Sequence, residues 1–185
     1  MKSREAWPTF LVAICLAWIP CGSVVAQKTA VRTFRSSVGF EVSYPLDWNR
    51  ISANPARLEI INGNGRSTGT VIGKNTASIV VASLVPTADR SIGEMLRELA
   101  RGDSILSDTA MSQAHDSVGR CSSLRVVTVR DELLPKRWAH ISYIGCEVSG
   151  RVVLTTLMFY ENEIRSDAWL KTALDIARSS HWRDR

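Results

Sequence analysis

Between Leu124 and Tyr160 the chain repeats one pattern three times. Stretches rich in β-branched and aromatic residues, LRVVTVR at 124–130, RWAHISYIGCEV at 137–148 and RVVLTTLMFY at 151–160, are separated by short turn-forming segments. Such runs predict strands, and their brief connections predict an antiparallel meander. A turn centred between Leu133 and Leu134 sets Cys121 opposite Cys146. In that register Leu124, Val126, Ile141, Tyr143, Leu154 and Met158 share one face. Val127, Val129, Trp138, Leu157 and Phe159 share the other with the cysteines. Both faces are substantially apolar, which asks for helical cover above and below.

Two helices are legible by their period. Ser91 and Glu94 form a capping box, Ile92, Met95, Leu96 and Leu99 recur on one face, and Gly102 ends the run. Ser166 and Asp167 open a second helix, whose stripe is Leu170, Ala173, Leu174 and Ala177. Earlier in the chain Phe40, Val42 and Tyr44 alternate with polar residues as a strand, and 58–61 and 77–85 predict two more. The glycine-rich stretch 62–74 between them lacks the spacing of a P-loop or a dinucleotide fingerprint, so it reads as an ordinary hairpin loop. No repeat or linker divides the chain.

The first 26 residues follow a different rule. Lys2 and Arg4 precede an apolar run from Thr9 to Ile19, Pro20 and Gly22 break it, and Val24-Val25-Ala26 supplies a small-residue cleavage site. The expectation is a secretory signal peptide, 1–26, cut after Ala26, with a single domain over 27–185 that is periplasmic or secreted and keeps no integral membrane span after cleavage. Pro20 before Cys21 departs from a lipobox, so anchoring as a lipoprotein through Cys21 is disfavoured. Cys15 and Cys21 leave with the leader, and in an oxidising compartment Cys121 and Cys146 are expected to form a disulfide.

Composition then removes several partners. The chain has 185 residues and a formal charge of +5, with 45% hydrophobic residues. Its eighteen arginines and five lysines are scattered singly, with no basic run interleaved with aromatics, so nucleic acid is not an expected partner. His115, His140 and His181 offer no zinc spacing with the cysteines, and no metal or cofactor is expected.

The segment Gly39-Phe40-Glu41-Val42-Ser43-Tyr44-Pro45-Leu46-Asp47-Trp48 resembles the opening of the PsbP-like superfamily, in which G-F-x-V-x-Y-P leads to a tryptophan. The order that follows, strands, a helix, a meander and a closing helix, is similar too. The resemblance implies an α+β fold, a PsbP-like α/β/α sandwich with a mainly antiparallel sheet covered by helices on both faces. It also implies an exported, non-enzymatic accessory or binding role. No catalytic residue and no metal ligand carries over from it.

The candidate chemistry is sparse. Gly102-Asp103-Ser104-Ile105-Leu106 is similar to the GDS[LI] block of SGNH esterases, but it follows a helix, and Arg178 stands where the Asp of Asp-x-x-His should precede His181. A small hydrolase using Ser104 is therefore the alternative reading, and a binder of small apolar or lipid ligands is another. His115-Asp116-Ser117 and the Glu161/Glu163 pair read as solvated loop charge. The tip Leu133-Leu134-Pro135 sets apolar residues where water is expected, and is the expected contact for an unidentified protein or envelope partner.

Overall fold

A computed structural model describes residues 30–62, 75–85, 90–112, 121, 123–148, 150–161 and 163–183. The expected leader, most of the glycine-rich loop and His115–Ser117 lie outside the described residues. Ten strands and two helices occur among those described, in the order β1 Val31–Arg35, β2 Phe40–Pro45, β3 Trp48–Arg50, β4 Leu58–Asn62, β5 Ala77–Leu84, α1 Ile92–Leu99, β6 Ser104–Ser112, β7 Ser123–Leu134, β8 Arg137–Val148, β9 Arg151–Tyr160, α2 Ser166–Arg178 and β10 His181–Trp182. Seven strands form one antiparallel sheet in the order β3-β4-β5-β9-β8-β7-β6, and three form a second, β1-β2-β10.

The alternation in β2 does what its sequence implies: Phe40, Val42 and Tyr44 are buried and their neighbours are not. Phe40 and Val42 join Trp169, Ala173, Ile176 and Ala177 of α2 over one face of the large sheet, against Leu124, Val126, Ile144, Val153 and Leu157. The α2 stripe thus uses Trp169 and Ile176 as its large buried residues, while Leu170 and Leu174 are half-buried. On the opposite face α1 rests on β7 and β8, where Leu96 and Ala100 meet Val127, Val129 and Ile141. Its capping box forms as read, but Leu99 at the end of the helix is 40% exposed and not part of this core.

This overturns the expected α/β/α sandwich. The molecule is dominated by antiparallel sheet, and its faces are not clad in helices. On the α2 side the small sheet supplies much of the cover. On the α1 side a helix of eight residues is centred on β7 and β8, and Val80, Ala82, Leu154, Thr156 and Met158 farther along the sheet are half-buried. The physical reason lies in residue size and polarity. Ser78, Ala82 and Thr156 interrupt that part of the face, so it lacks the continuous apolar area that would demand a second helix.

The meander forms, but in another register. Val126 faces Ile144, Val127 faces Tyr143 and Val129 faces Ile141, so the sides of β7 are exchanged relative to the expectation. The strand runs through the segment read as a loop, with an irregularity between Glu132 and Leu134, and the turn is Pro135-Lys136, where Lys136 adopts φ +63°. A ladder displaced by an odd number of residues turns every side chain of a strand to the other face. Cys146 consequently pairs in the ladder with Leu124, yet Cys121, which lies just before β7, is bonded to it with Cα atoms 5.5 Å apart. This bond closes a segment of 25 residues. Loop-closure entropy gives such a bond at most about 3.5 kcal/mol, because the hairpin already holds its ends together.

Candidate functional site

The structure spreads the expected tip over two environments. Leu133 packs against both core clusters, Leu134 is half-buried, and Pro135 is exposed in the turn. The three residues do not form an exposed apolar apex.

Beside the base of that hairpin lies a feature the sequence reading missed. β6 pairs with β7 on one side, and among the described residues no strand pairs with its other side. From Ser104 to Ala110 its residues are exposed, Ile105 and Leu106 by about half. The ladder shifts between Ile105 and Ser107, leaving Leu106 as the extra residue, and then runs regularly from Ser107 to Ser112. The other end of the sheet is built differently. Its edge strand β3 has three residues and ends at Arg50, the short, charged edge that discourages pairing with foreign strands. β6 has nine residues, and its one charge, Asp108, is bound inside the molecule. The Asp108 carboxylate accepts from Arg125 Nε at 2.7 Å and from Arg97 Nε at 2.8 Å, which ties β6, β7 and α1 together. Those bonds, the one from Arg125 foremost, hold the Asp108 carboxyl below its ordinary range.

Sequence could hardly have flagged this strand. SILSDTAMS neither alternates nor carries a β-branched run, and its first residues were absorbed by the esterase-like block. Ser104 itself opens β6 opposite Arg130. His181 lies in the small sheet, with Nε2 3.6 Å from Glu41 and Nδ1 3.2 Å from the Ser179 carbonyl, so the structure does not bring the two residues together as a nucleophile and base. Asp103, beside Ser104, is pushed above the usual carboxylate range by burial and then by Asp131. The Tyr143 hydroxyl is likewise raised by burial, with Asp103 and Asp131 adding to the effect.

A second polar group sits on the α2 face. Arg130 donates to Glu161 at 2.7 Å and stacks on Trp138 at 4.3 Å, and His140 Nε2 lies 3.8 Å from the same carboxylate. Glu163 instead accepts from the Asn75 backbone, so the two glutamates turn to different partners. Among the described residues no cluster of three or more metal-ligating side chains occurs, and no helix is long and apolar enough to cross a membrane. A cleft of about 370 Å³ lies between β2 and α2, with Pro45, Trp48 and Ile176 beside Asp47, Lys171 and Asp175.

No protein-family profile and no curated protein sequence matches the chain. Among solved structures it is similar to the Ran-binding protein Mog1p of Saccharomyces cerevisiae, at 10% identity and a TM-score of 0.51, over 84% of this chain and 97% of that one. Cyanobacterial PsbP from Synechocystis is similar at 15% identity and a TM-score of 0.47, over 88% and 97%. A Pseudomonas aeruginosa protein of unknown function gives 14% and 0.45, over 78% and 94%. The chain shares a PsbP/Mog1-like fold, and the Mog1p likeness carries that statement. The PsbP-like resemblance read from the opening strand fits it. At such identities it is the fold that is shared.

Proposed function

We propose that this chain is an exported, non-enzymatic accessory protein that binds another protein, and that the outer edge of β6 is where an extended segment of that partner is added. The observation that carries the reading is the asymmetry of the sheet. One edge is short and ends in a charge, while the other offers six regularly laddered residues, Ser107–Ser112, whose single carboxylate is already neutralised by Arg97 and Arg125. An unpaired row of backbone donors and acceptors is a template for strand addition, with affinity from main-chain hydrogen bonds. Ile105 and Leu106, each about half exposed, give this edge apolar contact area. Mog1p, of similar fold, is by its name a Ran-binding protein, which supports a binding role for this fold. The signal-peptide pattern over 1–26 and the Cys121–Cys146 cystine support export to an oxidising compartment.

The test is site-specific photocrosslinking in the native host. A photoreactive residue at Thr109 of β6 should give a discrete protein adduct, and one at Lys171 on the exposed side of α2 should not. Equal labelling from both positions, or none from Thr109, contradicts the reading. Mass analysis of the exported protein should find a mature chain beginning at Gln27.

A further inference from the structure

We propose that the end of the molecule formed by the Ser36–Gly39 turn, the Ile51–Arg57 loop and Arg183 is a separate docking surface for a carboxylate-rich, acidic segment of a partner protein. The inference rests on the binding-protein reading but uses a different surface.

Three segments distant in sequence are joined at this end. The Ser36 hydroxyl donates to the Ala56 carbonyl at 2.9 Å, the Ser37 amide donates to the Pro55 carbonyl at 2.7 Å, and the Arg183 amide donates to the Gly39 carbonyl at 2.9 Å. The cations here fall into two classes. Arg35 and Arg57 are neutralised by Glu41 and Glu59. Arg50 and Arg183 are held by neutral groups instead. Arg50 lies 4.9 Å from the centre of the Phe34 ring and donates to the Asn54 carbonyl, and Arg183 donates to the Ser36 carbonyl at 2.7 Å. Each guanidinium is held in place by neutral groups, and among the described residues neither meets a carboxylate.

Both residues are exposed. Four arginines, Arg35, Arg50, Arg57 and Arg183, thus stand against Glu41 and Glu59 at this end, whereas the outer face of α1 sets Arg90, Arg97 and Arg101 against Glu94 and Glu98 and pairs Arg90 with Glu98. Val38 and Ile51, 38% and 41% exposed, lie among the arginines. Preorganised planar forks around exposed aliphatic residues match a chain that carries carboxylates between apolar side chains. Arg is enriched at protein interfaces for this reason, since it binds carboxylates in bidentate fashion at little further cost in side-chain entropy.

The experiment measures binding of a fluorescent deca-glutamate peptide to the mature chain by anisotropy, with deca-serine as reference. Saturable binding is expected, weakening as salt rises. The double variant Arg50→Gln/Arg183→Gln should bind at least tenfold more weakly. Arg90→Gln/Arg101→Gln, an equal change of net charge on another face, should bind like the wild type. Arg50→Lys should recover only part of the affinity, because it restores charge without the fork. Circular dichroism and the melting temperature check that each variant is folded. Deca-glutamate binding no better than deca-serine, or equal losses in the two double variants, overturns the proposal. So does Arg50- and Arg183-dependent binding to phosphatidylglycerol vesicles that exceeds peptide binding, since it would assign the surface to lipid. Crosslinking from Thr109 is unaffected by these variants, so failure here and failure of the β6 reading are distinguishable.

Discussion

Thr155 is fully buried in β9, and its hydroxyl meets no hydrogen-bond partner among the described residues. A buried polar group without a partner costs about 1–3 kcal/mol, and an apolar isostere removes that cost at nearly constant shape. Thr155→Val is therefore expected to leave stability unchanged or raise it by about 1 kcal/mol in urea melts; a clear loss would show that the hydroxyl is bonded after all. Two aspartates should respond to pH with opposite signs. Asp108 has its carboxyl lowered by Arg125 and Arg97, so its contribution is present above the ordinary value of 3.8 and is lost as pH falls through its depressed value. Asp103 has its carboxyl raised by burial, so ionising it opposes folding as pH rises above that range. At pH 7 Asp108→Asn should melt below the wild type and Asp103→Asn above it. Both differences should shrink on acidification to pH 3, and differences independent of pH would refute the electrostatic account.

At the scale of elements, the contact between α1 and the sheet depends on Gly145. A Cβ there would lie 2.7 Å from Ile92 Cγ2 and 3.3 Å from Leu96 Cδ1, so the helix can approach β8 only because the side chain is missing. Gly145→Ala is expected to cost about 1–3 kcal/mol by overpacking. Hydrogen exchange should show α1 losing protection before the α2 face does, and wild-type protection in α1 would contradict this. How far such elements were legible depended on whether the signal was local. The capping box Ser91–Glu94 and the alternation of Phe40, Val42 and Tyr44 are local, and both appear as read. Register is not local. Asp131–Lys136 offers several turn centres, and the ladder chosen by the core puts Val127 and Val129 beneath α1, which no inspection of the hairpin alone decides. The two-residue β10 leaves almost no pattern, although Trp182 packs edge-on at 6.0 Å against Phe40 and completes the small sheet. β6 was invisible for the complementary reason: an exposed edge strand has no need to alternate.

Across the described residues, the fold divides its duties between two sheets and two short helices. The α2 face carries the large core, with Trp48, Phe40 and Leu58 among its fully buried side chains, and leaves little freedom at the β3 end. The β6 end has thinner cover and, among the described residues, an unpaired row of main-chain groups, held in shape by Asp108 and by the hairpin whose open end the cystine closes. Such an edge suits the strand addition proposed for β6. The most direct measurement is amide hydrogen exchange on the mature chain, alone and in the purified complex with the protein crosslinked through Thr109. The amides of Ser107–Ser112 should gain protection in the complex while those of α2 do not. Unchanged exchange along β6, with protection gained only elsewhere, would contradict strand addition at this edge.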